Sequence, residues 1–127
     1  MKISEILNNN KVTVSFEMFP PKQWDKIEKT KATVGEMVKF KPSFMSVTYG
    51  AGGGTSKFTL DIAKNIKKLY RVPTLAHLTC VSSTKETVAS KIKSIKEAGI
   101  ENVMALRGDI PKELENADRS GWDYKNA

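Results

Sequence analysis

Cysteine and histidine are almost missing from this chain: Cys80 and His77 are its single representatives of each. One cysteine excludes an internal disulfide and any multi-cysteine zinc site, and with one histidine the inventory of metal ligands is thin, so no metal is expected. No apolar run approaches the ~20 residues that a membrane-spanning helix requires, so no membrane partner is expected. Residues 1–10, MKISEILNNN, have neither the apolar core of a signal peptide nor an Arg- and Ser-rich transit composition, which points to a cytoplasmic location. Low complexity is absent too. With 39% hydrophobic and 28% charged residues the chain is neither a disordered tail nor a collagen-like repeat, and 127 residues allow one domain at most.

Acidic residues are in the minority: 21 Lys+Arg against 14 Asp+Glu leave a net charge of +7. That balance raises a nucleic-acid partner, but the charge is dispersed. Lys57, Lys64, Lys67, Lys68, Lys85, Lys91, Lys93 and Lys96 fall between apolar positions three and four apart, the pattern of solvated helix faces. Only Arg71 and Arg107 precede residue 119, and no basic strip is interleaved with aromatics that could stack bases. The reading is therefore no nucleic acid.

What is present is a regular alternation of elements. Residues 3–9 read as a short helix. Residues 12–18 alternate strictly, with Val12, Val14, Phe16 and Met18 opposite Thr13, Ser15 and Glu17, which is a strand with one apolar and one polar face. Phe19-Pro20-Pro21 stops it. A helix follows over 24–40, weakened by Thr30 and Gly35. Residues 44–48 form a second strand, and 49–55 a glycine-rich loop. A helix over 57–70 carries Phe58, Ile62, Ala63, Ile66 and Leu69 on one stripe, capped by Thr55 or Ser56. Residues 74–80 are a third strand, with Thr74, Ala76, Leu78 and Cys80 opposing Leu75, His77 and Thr79. Ser83-Thr84-Lys85-Glu86 reads as a capping box for a helix that Gly99 ends, and residues 102–106 are a fourth strand. From Pro111 to Ala127 the chain is polar with no clear element.

Four strands separated by three helices specify parallel βαβ units with right-handed crossovers. An open sheet covered on both faces has continuously apolar strands. The polar face of the first strand, and His77 and Thr79 in the third, fit better with a face turned toward a barrel mouth. An eight-strand barrel takes ~250 residues, so the chain reads as a partial barrel.

Ligands of parallel α/β folds bind at the C-terminal edge of the strands. Glu17, the stretch from Thr48 to Gly54, His77 with Thr79, and Arg107-Gly108-Asp109 all fall there. Gly50-Ala51-Gly52-Gly53-Gly54-Thr55 lies between strand and helix as a dinucleotide fingerprint does, yet Thr55 takes the place of the third glycine and no lysine follows as in a P-loop. The loop is equally a flexible turn. Glu17 is either a surface carboxylate paired with a lysine or, given its place at a strand end, a functional acid. A lone histidine between Ala76 and Leu78 is ordinarily a satisfied interior residue, and Cys80 a small buried hydrophobe.

Together these segments resemble a known family. Ser15-Phe16-Glu17-Met18-Phe19-Pro20-Pro21-Lys22, Ser46-Val47-Thr48-Tyr49-Gly50-Ala51-Gly52-Gly53, Ala76-His77-Leu78-Thr79-Cys80 and Ala105-Leu106-Arg107-Gly108-Asp109 stand in the order and approximate spacing of the methylenetetrahydrofolate reductases. Met18 replaces the family's usual Phe, and Gly54 stands where Ser is frequent. The resemblance implies a (β/α)8 TIM barrel of which residues 1–127 are the first four βα units, a truncated N-terminal half. It implies bound FAD, NADH or NADPH as electron donor, and reduction of 5,10-methylenetetrahydrofolate to 5-methyltetrahydrofolate by hydride transfer through flavin N5. Glu17 matches the general acid that protonates N10 as the folate's imidazolidine ring opens, a role that calls for burial. Asp109 matches the aspartate beside flavin and pterin that stabilises the cationic iminium. By the same resemblance Thr48, Tyr49, Ala51, His77, Arg107, Gly108, Asp109 and Ala127 line the cofactor site, and Glu17 and Asp109 meet the folate. The half-barrel alone is expected to be inactive. The competing reading is an inert fragment that self-associates through its open sheet edges into a homo-oligomer.

Overall fold

The computed structural model describes residues 1–9, 11–49, 56–110 and 112–124. After a short helix α1 (Ile3–Leu7), the chain forms β1 (Ser15–Met18), a 3-10 turn (Trp24–Lys26) running into α2 (Ile27–Val38), β2 (Phe44–Val47), α3 (Ser56–Tyr70), β3 (Thr74–Thr79), α4 (Lys85–Glu97), β4 (Asn102–Leu106) and a second 3-10 turn (Lys112–Leu114). The four strands make one parallel sheet in the order β1-β2-β3-β4. A doubly wound sheet reverses its strand order at a switch point, and none occurs here. Sequential order is the arrangement that a closed barrel continues.

Phe16 pairs with Met45 and Met18 with Val47, then Val47 with Ala76, and Ala76 with Val103. Because side chains alternate along each strand, this set shares one face. Met18, Met45, Val47, Ala76 and Leu78 pack there with Val34 of α2, Ile62, Ala63 and Ile66 of α3, and Val88 and Ile95 of α4, so the helices cover this face. Gly35, a weak point for a helix by propensity, has a packing reason: a Cβ there would come within 2.7 Å of the Tyr70 hydroxyl, so α2 and α3 approach through it. No helix among the described residues is long and apolar enough to cross a membrane.

The structure corrects several expectations. The first strand is four residues rather than seven. Val12 and Val14 are 94% and 51% exposed: the paired register of the edge strand β1 begins at Ser15↔Phe44, and before it Val14 O accepts from Ser43 N at 2.8 Å. The cap of α4 is Thr84, whose Oγ1 accepts from Thr87 N, and not Ser83 one residue earlier. Beyond β4 the polar segment forms the 3-10 turn Lys112–Leu114, which its charged composition did not reveal. The glycine-rich positions 50–55 and the cap assigned to Thr55 lie outside the described residues.

Candidate active site

The opposite face of the sheet carries the polar partners of the same register. Glu17 of β1 stands beside Ser46 of β2, and His77 and Thr79 of β3 stand beside Met104 and Leu106 of β4. Ser46, His77 and Thr79 are buried, whereas the Glu17 side chain is 46% exposed. Ser46 Oγ donates to Glu17 Oε2 at 3.2 Å, and His77 Nε2 lies 3.5 Å from the same oxygen. The histidine contact is long for a hydrogen bond. No other partner of Nε2 is present among the described residues, so this buried nitrogen faces the carboxylate alone. A serine of β2 and an imidazole of β3 thus converge on one oxygen of the β1 carboxylate. The burial expected for an acid at Glu17 is not provided by the described residues, since Glu17 lies on the edge strand β1 with its side chain 46% exposed.

At the C-terminal edge, β3 and β4 remain joined past their ends, with Cys80 N bonded to Leu106 O at 3.1 Å and Val81 N to Arg107 O at 2.8 Å. Above this junction lies a hollow of about 370 Å³ bordered by Tyr49, Thr79, Val81, Arg107, Gly108 and Asp109. Gly108 makes it possible. Its φ is +88°, and a Cβ there would sit 2.8 Å from the Thr79 Cβ. Thr48 is anchored through its backbone, accepting from Thr59 Oγ1 at 2.8 Å and donating its N–H to Met18 O at 2.9 Å, which fixes where Tyr49 follows. Lys91 Nζ sits 4.9 Å from the centre of the Tyr49 ring, while the Tyr49 hydroxyl is buried with no hydrogen-bond partner among the described residues. Arg107 and Asp109 are exposed at the rim, and Arg107 Nε donates to Gly108 O at 3.1 Å.

The structure therefore brings Glu17 to His77 and gathers Tyr49, Arg107, Gly108 and Asp109 around one hollow. Ala51 and Ala127 lie outside the described residues. Sequence reasoning missed Ser46 as a site residue. Its place beside Glu17 is a matter of strand register, which a single sequence does not display, although its position two residues before Thr48 put it on the same face.

The family is decided by comparison of whole sequences. The sequence model of the family described as methylenetetrahydrofolate reductase matches residues 2–127. This chain belongs to the methylenetetrahydrofolate reductase family. It is 41% identical over 110 residues to methylenetetrahydrofolate reductase (NADH) 1 of Zea mays, covering 87% of this chain and 18% of that protein. With the 5,10-methylenetetrahydrofolate reductase of Pectobacterium carotovorum subsp. carotovorum the identity is 38% over 103 residues, 81% of this chain and 35% of the relative. Methylenetetrahydrofolate reductase 2 of Schizosaccharomyces pombe is 31% identical over 131 residues, 100% of this chain and 20% of its own. The chain thus spans between 18% and 36% of the length of these and similar curated relatives. Within the family-matched region lie all four segments that carried the resemblance, Glu17 and Asp109 included.

Proposed function

We propose that this chain supplies the Glu17 and Asp109 side of a reductase that converts 5,10-methylenetetrahydrofolate to 5-methyltetrahydrofolate, with FAD as cofactor and NADH or NADPH as donor. The observation that carries the reading is the convergence of Ser46 and His77 on Glu17 on the sheet face opposite the helices, with Thr79, two residues along β3 from His77, bordering the hollow at Gly108. Family membership supports the substrate class. The sequential parallel sheet supports the same reading, as the first four βα units of a (β/α)8 barrel.

The residues fit a flavin on two counts. Gly108 lets the backbone that borders the hollow pack against Thr79 and Val81 where any Cβ would collide, and the buried Tyr49 hydroxyl lacks a partner that a ligand's polar edge would provide. Tyr49, Thr79, Arg107, Gly108 and Asp109 would hold it, with Thr48 set by its backbone bonds. Bound FAD supplies hydride relay between the nicotinamide and the folate. Glu17 gives its proton to N10 of the folate as the imidazolidine ring opens, so that the departing nitrogen leaves neutral. Asp109, an exposed carboxylate at the rim, offers negative charge to the cationic iminium that ring opening creates. Arg107 presents a fixed positive charge to anionic groups of the ligands. The acid role requires that water be kept from the exposed side of Glu17, which the bound ligands and any further chain above the sheet would do.

Titration of the chain with FAD, read by flavin absorbance and fluorescence polarisation, tests the reading. Saturable binding that Gly108→Val abolishes is the expected result. Binding that Gly108→Val leaves unchanged would remove the hollow from the cofactor site.

A second reading has its own observation. The β4 edge exposes Val103 and Met104 at 42% and 39%, and the β1 edge exposes Val14, with no charged residue in β4 to block pairing. Two copies joined β4 to β1 across a two-fold axis would close eight parallel strands, a homo-oligomer of inert halves. A dimeric mass without flavin binding would favour it.

A further inference from the structure

Ser46 Oγ donates to Oε2 of Glu17 and the buried His77 Nε2 lies 3.5 Å from the same oxygen, while Oε1 has no partner among the described residues. Neutral imidazole carries its proton on one ring nitrogen, and the hydrogen bond made by each nitrogen selects which. With the proton on Nδ1, the Nε2 lone pair would face the lone pairs of an ionised carboxylate oxygen 3.5 Å away, and attraction would return only with the carboxyl proton on Oε2. With the proton on Nε2, the same geometry is attractive. We propose that Ser46 and His77 are positioning residues: they fix Oε2 of Glu17 as its accepting oxygen and so make Oε1 the oxygen that carries and delivers the acid proton.

This inference rests on the reading of Glu17 as the general acid and specifies which of its two oxygens acts. In a neutral carboxyl group the carbonyl oxygen accepts hydrogen bonds and the hydroxyl oxygen donates one. An oxygen already receiving an O–H and an N–H is the carbonyl-type oxygen, so the proton resides on the other. On transfer the Oε1–H bond breaks, its electron pair stays on Glu17, and the new N–H bond forms on the substrate nitrogen. The carboxylate left behind keeps the Ser46 hydrogen bond at Oε2 with the imidazole N–H 3.5 Å away, and the negative charge strengthens both attractions. Burial suits the division of labour. Ser46 and His77 are 7% and 8% exposed and come from central strands, whereas the residue they orient is half open on the edge strand β1.

The single histidine makes the test direct. Long-range proton–nitrogen NMR spectra of the 127-residue chain at about pH 8, above the ordinary imidazole range near ~6.5, report which ring nitrogen is protonated. The wild-type ring is expected to be protonated at Nε2. Glu17→Gln should keep that signature, because the amide oxygen replaces Oε2 and the amide nitrogen takes the place of the protonated Oε1. Glu17→Leu should lose it, moving the Nε2 resonance toward the average of the two tautomers, and Glu17→Ala should do the same if the leucine variant does not fold. A wild-type ring protonated at Nδ1 would put the shared proton on Oε2 and overturn the proposal, whichever variants fold. So would a ring unchanged by Glu17→Leu or Glu17→Ala. The spectrum involves neither flavin nor folate. An Nε2-protonated ring in a chain that binds no FAD leaves the clamp standing and shows that this half does not assemble the cofactor site by itself, and an Nδ1-protonated ring in a chain that binds FAD overturns the clamp and leaves the proposed function standing.

Discussion

Met45, Val47 and Ala76 are 1% exposed or less on the helix-covered side of the sheet, while Ser46 and His77, one residue along the same strands, face a half-open carboxylate on the other. The two faces share backbone, register and hydrogen-bond ladder, so what distinguishes them is the side chains alone. One face packs methyl and methylene groups to closure; the other holds hydrogen-bonding groups ready for a ligand. A parallel sheet ordinarily buries both of its faces. Here the second face gives up apolar burial for polar groups, so stability has to come from the first.

Truncation on each face is the sharpest way to break that comparison. Ile66→Ala, at a fully buried position under the sheet, is expected to cost about 2–5 kcal/mol in urea unfolding, through lost transfer energy and the cavity left behind. Glu17→Gln keeps an acceptor for Ser46 and His77 and is expected to stay within about 0.5 kcal/mol of the wild type. Equal losses at the two positions would mean that the polar face also holds the fold together.

Gly108→Ala tests the seam between the faces, where the β4 edge turns into the hollow. Its positive φ disfavours any Cβ, and the added carbon would meet Thr79 Cβ at 2.8 Å, side-chain root against side-chain root with little room to yield. A loss of about 1–3 kcal/mol is expected from the backbone strain, measured by the same unfolding experiment. An unchanged midpoint would show that the turn relaxes freely and that the hollow is not a rigid feature.

Legibility in the sequence divides along the same line. Phe58, Ile62, Ala63 and Ile66 of the α3 stripe, Phe16 and Met18 of β1, and Ala76 and Leu78 of β3 lie on the helix-covered face as read, because hydrophobic period is a local property that one sequence displays, whereas Leu69, put on the same α3 stripe, is 65% exposed. Glu17, His77 and Arg107-Gly108-Asp109 were legible as strand-end residues for the same reason. Ser46 was not, since its role depends on the register Glu17↔Ser46 between strands 29 residues apart. Nor was the exposure of Val12 and Val14: their pattern is that of a strand, and only the partner's starting point shows that the ladder begins later. Thr84 rather than Ser83 at the cap of α4 is the residual uncertainty of one position that two adjacent hydroxyl residues always leave.

The smallest effect belongs to the opposite, N-terminal end of the sheet, away from the site. Glu101 Oε2 receives both Lys67 Nζ and the Met1 ammonium at 2.8 Å, and Asn102 Oδ1 accepts from Ile3 N at 2.9 Å, which ties α1 beneath β4. The hydrogen bond from Lys67, then that from the N-terminus, lowers the Glu101 carboxyl from its ordinary 4.5 to about 2. A carboxyl depressed on folding contributes stability that is fully present above its unfolded value and is lost as the pH falls through its folded value. The contribution should therefore be complete above about pH 4.5 and disappear toward pH 2, with no change between pH 6 and 8. Because the group is exposed, salt should screen most of it. Glu101→Gln is expected to flatten the acid limb of stability against pH in low salt and to change little in high salt. A variant whose acid limb matched the wild type in low salt would show that α1 is held by Ile3 and Asn102 and not by charge.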